Sequence, residues 1–138
     1  MARNYNNLEI YHLSYDFVLH IYQMTNQFPE TEEHNIKSQL RRAAVSLPLN
    51  IAEGSAKASP REFTYFLNIS YGSAKEIEVL LKLCKDLKYF NDEEYILLME
   101  KLDNFNSKIY LFLRNMEARI PNLKHRFFRE FNKKNQKN

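Results

Sequence analysis

The segment YILLMEKLDNFNSKIYLFLRNM, residues 95–116, decides the fold of this chain. Apolar residues recur in it at alternating steps of three and four, which is the period of one buried face of an α-helix. The residues of this stripe are Tyr95, Leu98, Leu102, Phe105, Ile109, Phe112 and Met116. Such a sustained seam is typical of a helix that packs lengthwise against other helices.

The boundaries of this helix are also readable. Asn91 and Glu94 have the spacing of a capping box, which predicts the start of the helix. Ile120-Pro121 is predicted to end it, because the residue before a proline avoids the α conformation.

Two helices are predicted in the first part of the chain. The first covers residues 8–27 and is expected to turn one apolar stripe inward, formed by Leu8, Tyr11, Tyr15, Val18 and Tyr22. The second is predicted to begin at Thr31 as N-cap and to end at Gly54 in a left-handed conformation. Pro48 lies inside it and removes one backbone hydrogen bond.

A third helix is predicted from Ser59 to about Leu87, because Ser59, Pro60 and Glu62 form a strong helix start signal. With only 2 glycines and 4 prolines, the 138 residues favour a few long elements. We therefore predict an all-α fold, an antiparallel up-down four-helix bundle over residues 1–120, followed by a basic aromatic tail over residues 121–138.

Composition excludes several classes of protein. The single cysteine, Cys84, rules out an internal disulfide and agrees with a reducing compartment. No apolar run approaches the roughly 20 residues needed to span a bilayer, and the polar N-terminus lacks a signal-peptide core, so we expect a cytoplasmic protein without a membrane role. We expect no enzyme, since the sequence has no glycine-rich phosphate loop and no nucleophile elbow.

A four-helix bundle raises the question of a metal site. A di-iron centre needs two Glu-x-x-His pairs, and this chain has only Glu9-x-x-His12. His12, Asp16 and His20 lie at steps of four on one helix face, which agrees either with a solvated face or with a metal site on one helix. We expect neither a metal nor another cofactor.

The second helix carries a polar stripe beside its apolar one. Its members are Gln39, Arg42, Ser46, Asn50 and Glu53. The stripe is interpreted either as solvent-facing or, together with Pro48, as an oligomer contact or structural element, because amides and hydroxyls suit hydrogen bonds at an interface.

Charge is concentrated in the tail. Residues 121–138 hold six basic residues and one acidic residue, a net +5, which leaves −2 on residues 1–120 of a chain with net charge +3. In the tail, basic residues alternate with aromatic residues. This pattern agrees with a helix packed on the bundle, with a segment that contacts nucleic acid, or with a helix on a membrane surface. The candidate nucleic-acid residues are Arg41, Lys57, Lys124, Arg126, Arg129, Lys133 and Lys134.

Three segments carry a family resemblance: SQLRRAAVSLPLNIAEG (38–54), SPREFTYFL (59–67) and GSAKEIEVLLKLCKDLKY (72–89). Over residues 5–118 the chain resembles the bacterial four-helix-bundle family named after proteins encoded in intervening sequences of large-subunit ribosomal RNA genes. The accessory protein of diversity-generating retroelements is similar. The resemblance implies a homopentameric barrel without catalysis, which in the retroelement branch binds nucleic acid and a reverse transcriptase.

The sequence thus favours a non-catalytic, oligomeric bundle that binds RNA or an RNA–protein complex. The alternative is a protein-binding scaffold with no nucleic-acid role.

Overall fold

The computed structural model describes residues 4–121, which form four helices and confirm the predicted all-α bundle. The helices are α1 (Glu9–Thr25), α2 (Ile36–Ser55), α3 (Pro60–Asp86) and α4 (Asp92–Ala118). Two short 3-10 turns, Tyr5–Asn7 and Glu30–Glu32, precede α1 and α2. The helices stand at the corners of a square, and each one packs against two others: α1 on α2, α2 on α3, α3 on α4, and α4 on α1.

Contacts between helix ends fix the up-down directions. Gln27, just past the end of α1, donates to Glu94 at the start of α4 with a distance of 2.7 Å. Conversely, Nζ of Lys108 in the second half of α4 lies 3.7 Å from the carboxylate of Glu9 at the start of α1. α1 and α4 therefore run antiparallel, and the short connections give the same relation between consecutive helices.

The seam of α4 is confirmed at most positions. Leu98, Leu102, Phe105 and Ile109 are fully buried, and Met116 at the end of the seam is buried as well, as the heptad pattern predicts. The exception is Phe112, which is only partly buried, while Leu113 beside it is fully buried.

The predicted inward stripe of α1 is wrong for Tyr15 and Tyr22, whereas Leu8, Tyr11 and Val18 are partly buried and pack against the core. The buried residues of α1 are Ile10, Ser14, Phe17, Ile21 and Thr25. Tyr15 and Tyr22 are exposed on the neighbouring face. α1 carries two adjacent apolar faces, and periodicity alone does not show which one enters the core.

Three helix starts were predicted, and two are confirmed. Asn91 and Glu94 form the full capping box, and the side chain of Ser59 accepts a hydrogen bond from the backbone N–H of Glu62. The predicted cap Thr31 is wrong, because it lies in the 3-10 turn and α2 begins only at Ile36. There the carboxylate of Glu32 accepts a hydrogen bond from the backbone N–H of Ile36 (3.2 Å).

The expected left-handed end of α2 at Gly54 is also wrong. Gly54 does not have a positive φ, and α2 continues to Ser55. A β-carbon at Gly54 would lie 3.0 Å from the ring of Phe63, so the glycine allows α2 and α3 to approach closely. In the same interface, the hydroxyl of Ser70 donates to the carbonyl of Leu47 (3.2 Å).

Candidate functional site

Three residues of the predicted polar stripe come together in one groove between α2 and α3. This open groove, of about 1080 Å³, is lined by Gln39, Arg42 and Ser46 on α2. Across it lies Glu76 of α3, whose carboxylate accepts a hydrogen bond from the Gln39 amide at 3.3 Å. The stripe therefore forms one wall of a polar groove.

Arg42 stands out among these residues. Its side chain is exposed and makes no hydrogen bond or ion pair with any residue in the range 4–121. Its guanidinium is thus free to bind a carboxylate, a phosphate or a carbonyl from another molecule.

Two residues of the polar stripe, Ser46 and Asn50, form side-chain hydrogen bonds with backbone carbonyls of α2 itself. The hydroxyl of Ser46 donates to the carbonyl of Ala43, and the amide of Asn50 donates to the carbonyl of Ser46, each at 2.7 Å. Both side chains are half-buried next to Pro48, through which α2 continues unbroken. These bonds give Ser46 and Asn50 a structural role near the proline. Glu53 is exposed and lies outside the groove.

Beside this groove, α1 and α2 present an apolar surface, which we call the α1–α2 face. Its members are Tyr11, Tyr15, Val18, Leu19, Tyr22, Val45 and Leu49. Three of them are more than half exposed: Leu49 (60%), Leu19 (56%) and Tyr15 (52%). The surface includes an apolar groove of about 400 Å³. The apolar period of α1 includes this face, although the periodicity alone predicts that it belongs to the core.

Arg41, a predicted nucleic-acid residue, is engaged within the chain. Its Nε donates to the hydroxyl of Thr25 (2.8 Å), and Nη2 donates to the carbonyl of Tyr22 and to the side-chain oxygen of Asn26 (3.0 Å each). Its guanidinium also lies 4.3 Å from the centre of the Tyr22 ring. Arg41 thus satisfies acceptors at the C-terminal end of α1, where a cation is also favoured by the helix dipole.

Basic residues gather at the end of the bundle where α2 ends, α3 begins and α4 ends. We call this the basic end; its residues are Lys57, Arg61, Arg114 and Arg119. Arg61 donates to the carbonyl of Pro121 (3.3 Å), which fixes the place where the tail begins. The predicted tail residues Lys124, Arg126, Arg129, Lys133 and Lys134 lie outside the described residues.

The face of α1 that carries His12, Asp16 and His20 forms hydrogen bonds and ion pairs with neighbouring residues of the chain. Nε2 of His12 donates to the carbonyl of Asn6 (2.7 Å), and Nδ1 of His20 donates to the carbonyl of Asp16 (2.9 Å). The carboxylate of Asp16 pairs with Lys101 at 2.8 Å. Within residues 4–121, no three His, Cys, Asp or Glu side chains form a cluster that could hold a metal ion.

Cys84 is fully buried in the core. Burial, together with the negative charge of Glu32, raises the pKa of its thiol to about 12. The thiol is therefore protonated at neutral pH and is not a nucleophile there.

A membrane-spanning helix needs about 20 mostly apolar residues. None of the helices in the described part of the chain has both that length and that apolar character.

Comparison with known proteins places this fold in a family. No curated protein matches the chain. Among solved structures, the chain is similar to a protein with unknown function from the S23 ribosomal protein family from Bacteroides thetaiotaomicron VPI-5482, solved at 1.70 Å. The TM-score is 0.70 at 24% identity, covering 76% of this chain and 95% of that chain, which shows a shared fold. The sequence profile described as 23S rRNA-intervening sequence protein matches residues 6–110. Since that match covers well over half of the chain, the protein belongs to the 23S rRNA-intervening sequence protein family.

Proposed function

We propose that this protein is a non-catalytic bundle that assembles into a closed homo-oligomer and binds RNA, or an RNA–protein complex, through its basic end and tail. The homopentamer implied by the sequence resemblance is the proposed size. The observation that carries the proposal is the combination of an exposed apolar face in the structure with a net charge of +5 in the tail sequence, residues 121–138.

The α1–α2 face supports self-assembly. Large contiguous apolar patches are uncommon on monomeric proteins and mark interaction surfaces. This face contains aromatic side chains, which are enriched at protein–protein interfaces because they bury a large area at low entropic cost. Arg42 borders the same face and lacks a described partner within the chain.

Charge distribution supports RNA binding. The two ends of the bundle differ in sign: residues 26–38 and 82–95, at one end, carry seven acidic and four basic side chains, a net −3. At the other end, residues 4–12, 50–64 and 108–121 carry five basic and four acidic side chains, a net +1. Residues 122–138, which follow in the sequence, carry a further net +5. Phosphate backbones are expected at this positive end, and assembly multiplies the contacts made by each copy.

The test is a titration of single-stranded RNA against three proteins. They are the full chain, a chain ending at Ile120, and a full-length variant in which the five candidate basic residues of the tail are changed to glutamine. These residues are Lys124, Arg126, Arg129, Lys133 and Lys134. If five phosphates are contacted, affinity should fall about 100-fold between about 50 and 200 mM salt. Both altered proteins should lose most of the affinity and the salt dependence. Equal binding by all three would move the site onto the bundle, to Lys57 or Arg61.

A protein-binding scaffold is the second candidate, and the α2–α3 groove favours it. A free arginine beside amide and hydroxyl groups suits a peptide carboxylate or backbone carbonyl. If none of the three proteins binds RNA even at low salt, the scaffold function replaces the RNA-binding one.

A further inference from the structure

The outer side of α3 carries a second apolar surface, which we call the α3 ridge. Its residues recur at steps of three and four along most of the helix and are Tyr65, Ile69, Gly72, Glu76, Val79, Leu83 and Leu87. The five large apolar members are exposed; Tyr65 reaches 63% and Val79 58%. This is an amphipathic pattern directed away from the bundle core.

Gly72 lies in the middle of this ridge, and neither packing nor backbone conformation within the described chain requires a glycine there. A β-carbon built on it meets no atom within 4 Å, and its φ is not positive. Glycine inside a helix is less stable than alanine by about 1 kcal/mol. A glycine without internal constraint, set among exposed apolar residues, is suited to the close approach of another backbone.

The two apolar surfaces lie on different elements. The α1–α2 face includes a groove of about 400 Å³ between two helices, whereas the α3 ridge follows a single helix, and its Glu76, Val79 and Leu83 also border the α2–α3 groove. A closed ring joins two different patches of each subunit, because every copy contacts its neighbours head to tail. The described chain offers such a pair on α1–α2 and on the outer side of α3, which packs against α2 and lies diagonally across the bundle from α1.

Charge agrees with this pairing. Arg42 borders the α1–α2 face, and Glu76 lies in the α3 ridge. Both also line the α2–α3 groove of the same chain, yet no ion pair joins them or links either to another described residue. Arg42 is therefore available for an opposite charge on a second copy, and Glu76, whose carboxylate accepts a hydrogen bond from the neutral amide of Gln39 (3.3 Å), keeps a charge that no described residue neutralises.

We propose that the α3 ridge of one copy docks into the α1–α2 face of the next, with Gly72 at the point of closest approach. This rests on the proposed closed oligomer and identifies its interface. A ridge of helical side chains entering the groove between two helices follows the ordinary geometry of helix packing.

Cross-linking tests which surfaces meet. Leu49→Cys and Ile69→Cys, the latter one turn before Gly72 on the α3 ridge, are prepared separately, one with a size tag, then mixed and treated with a short bismaleimide. The natural Cys84 stays silent because it is buried and protonated. We expect cross-linked dimers of one tagged and one untagged chain, and little cross-linking of either variant alone.

Light scattering on the same samples separates the possible failures. An oligomer that cross-links only within each variant has like faces paired, which overturns the inference. An oligomer without any cross-link also overturns it and leaves the proposed assembly standing. A mass of 16.6 kDa at every concentration would show a monomer and would overturn both the interface and the proposed oligomer.

A matched pair of substitutions tests the role of Gly72. Gly72→Leu should reduce the oligomer to smaller species, since the added side chain occupies the space of the neighbouring backbone. Ser107→Leu, on the exposed surface of α4, should leave the mass unchanged. If both variants keep the parental mass, Gly72 lies outside the interface.

Discussion

Gly54 of α2 and Phe66 of α3 are so close that a β-carbon on the glycine would lie 2.7 Å from the β-carbon of the phenylalanine. The last turn of α2 therefore rests directly on the first turns of α3. The closeness of these backbones, rather than a left-handed turn, is the reason for glycine at this position.

Gly54→Ala should lower the free energy of unfolding by about 1–3 kcal/mol, the usual effect of overpacking a core. The loss should appear although alanine is the better helix former. Guanidinium denaturation followed by circular dichroism measures it, with Ser107→Ala as the exposed control. A Gly54→Ala protein as stable as the parent would show that the two helices separate easily.

Lys88 follows the end of α3 with φ of 65°, a left-handed conformation that suits glycine. Here the backbone N–H of Tyr89 donates to the carbonyl of Cys84 (2.8 Å), which closes the helix. Lys88→Gly should stabilise the protein by about 1 kcal/mol, because a non-glycine residue in this conformation is strained.

The control for that change is Lys85→Gly. Lys85 lies three residues earlier, in the last turn of α3, where glycine should destabilise by about 1 kcal/mol. Thermal melts of both variants should move in opposite directions. The same direction for both would contradict the left-handed assignment of Lys88.

Arg41 and its neighbour Arg42 should behave differently. Arg41→Ala leaves the Tyr22 carbonyl and the side chains of Thr25 and Asn26 without a donor, so we expect a loss of about 1–3 kcal/mol. This loss should not depend on protein concentration. Arg42→Ala removes no described internal bond, and its effect should appear in the oligomer mass and in concentration-dependent stability.

Asn50→Ala should resemble Arg41→Ala, since its amide bonds to the carbonyl of Ser46 within α2. Chemical denaturation at two protein concentrations and light scattering distinguish the two kinds of effect. Identical behaviour of the Arg41 and Arg42 variants would refute the separation of roles.

Alkaline pH should destabilise the protein through Cys84. Its pKa is raised to about 12 in the folded chain, against about 8.5 when unfolded. The contribution is therefore complete below about pH 8.5 and is lost as pH rises toward 12; between pH 8 and pH 10 the loss is roughly 1–2 kcal/mol. Cys84→Ala should remove this part of the pH dependence in urea denaturation, and an unchanged dependence would contradict the assignment.

Periodicity and helix caps predicted most of the fold, because both are local properties of the chain. Asn91 and Glu94 needed only their own spacing to define the start of α4. The errors occur where a distant element decides. Gly54 suits a helix end or a close contact equally well, and only the position of Phe66 selects between them. Thr31 is a good cap residue, but Glu32 caps α2 instead.

The candidate surfaces could be predicted only in part. The polar stripe of α2 was visible in the sequence, but the local bonds of Ser46 and Asn50 required coordinates. The apolar period of α1 merged two adjacent faces, one buried through Phe17 and the other exposed through Tyr15. The α3 ridge has a readable period of its own, but that its residues face away from the core required coordinates.

The extensive packing of α2 on α3 has a consequence for the order of folding. These consecutive helices meet after closure of a very short loop, whereas Lys101 and Asp16, which join α4 to α1, are 85 residues apart. Loop closure is less favourable for distant segments, so we expect the central hairpin to form first and α1 to close onto α4 last. Substitutions at Ser70 should therefore slow folding, while substitutions at Asp16 should mainly accelerate unfolding.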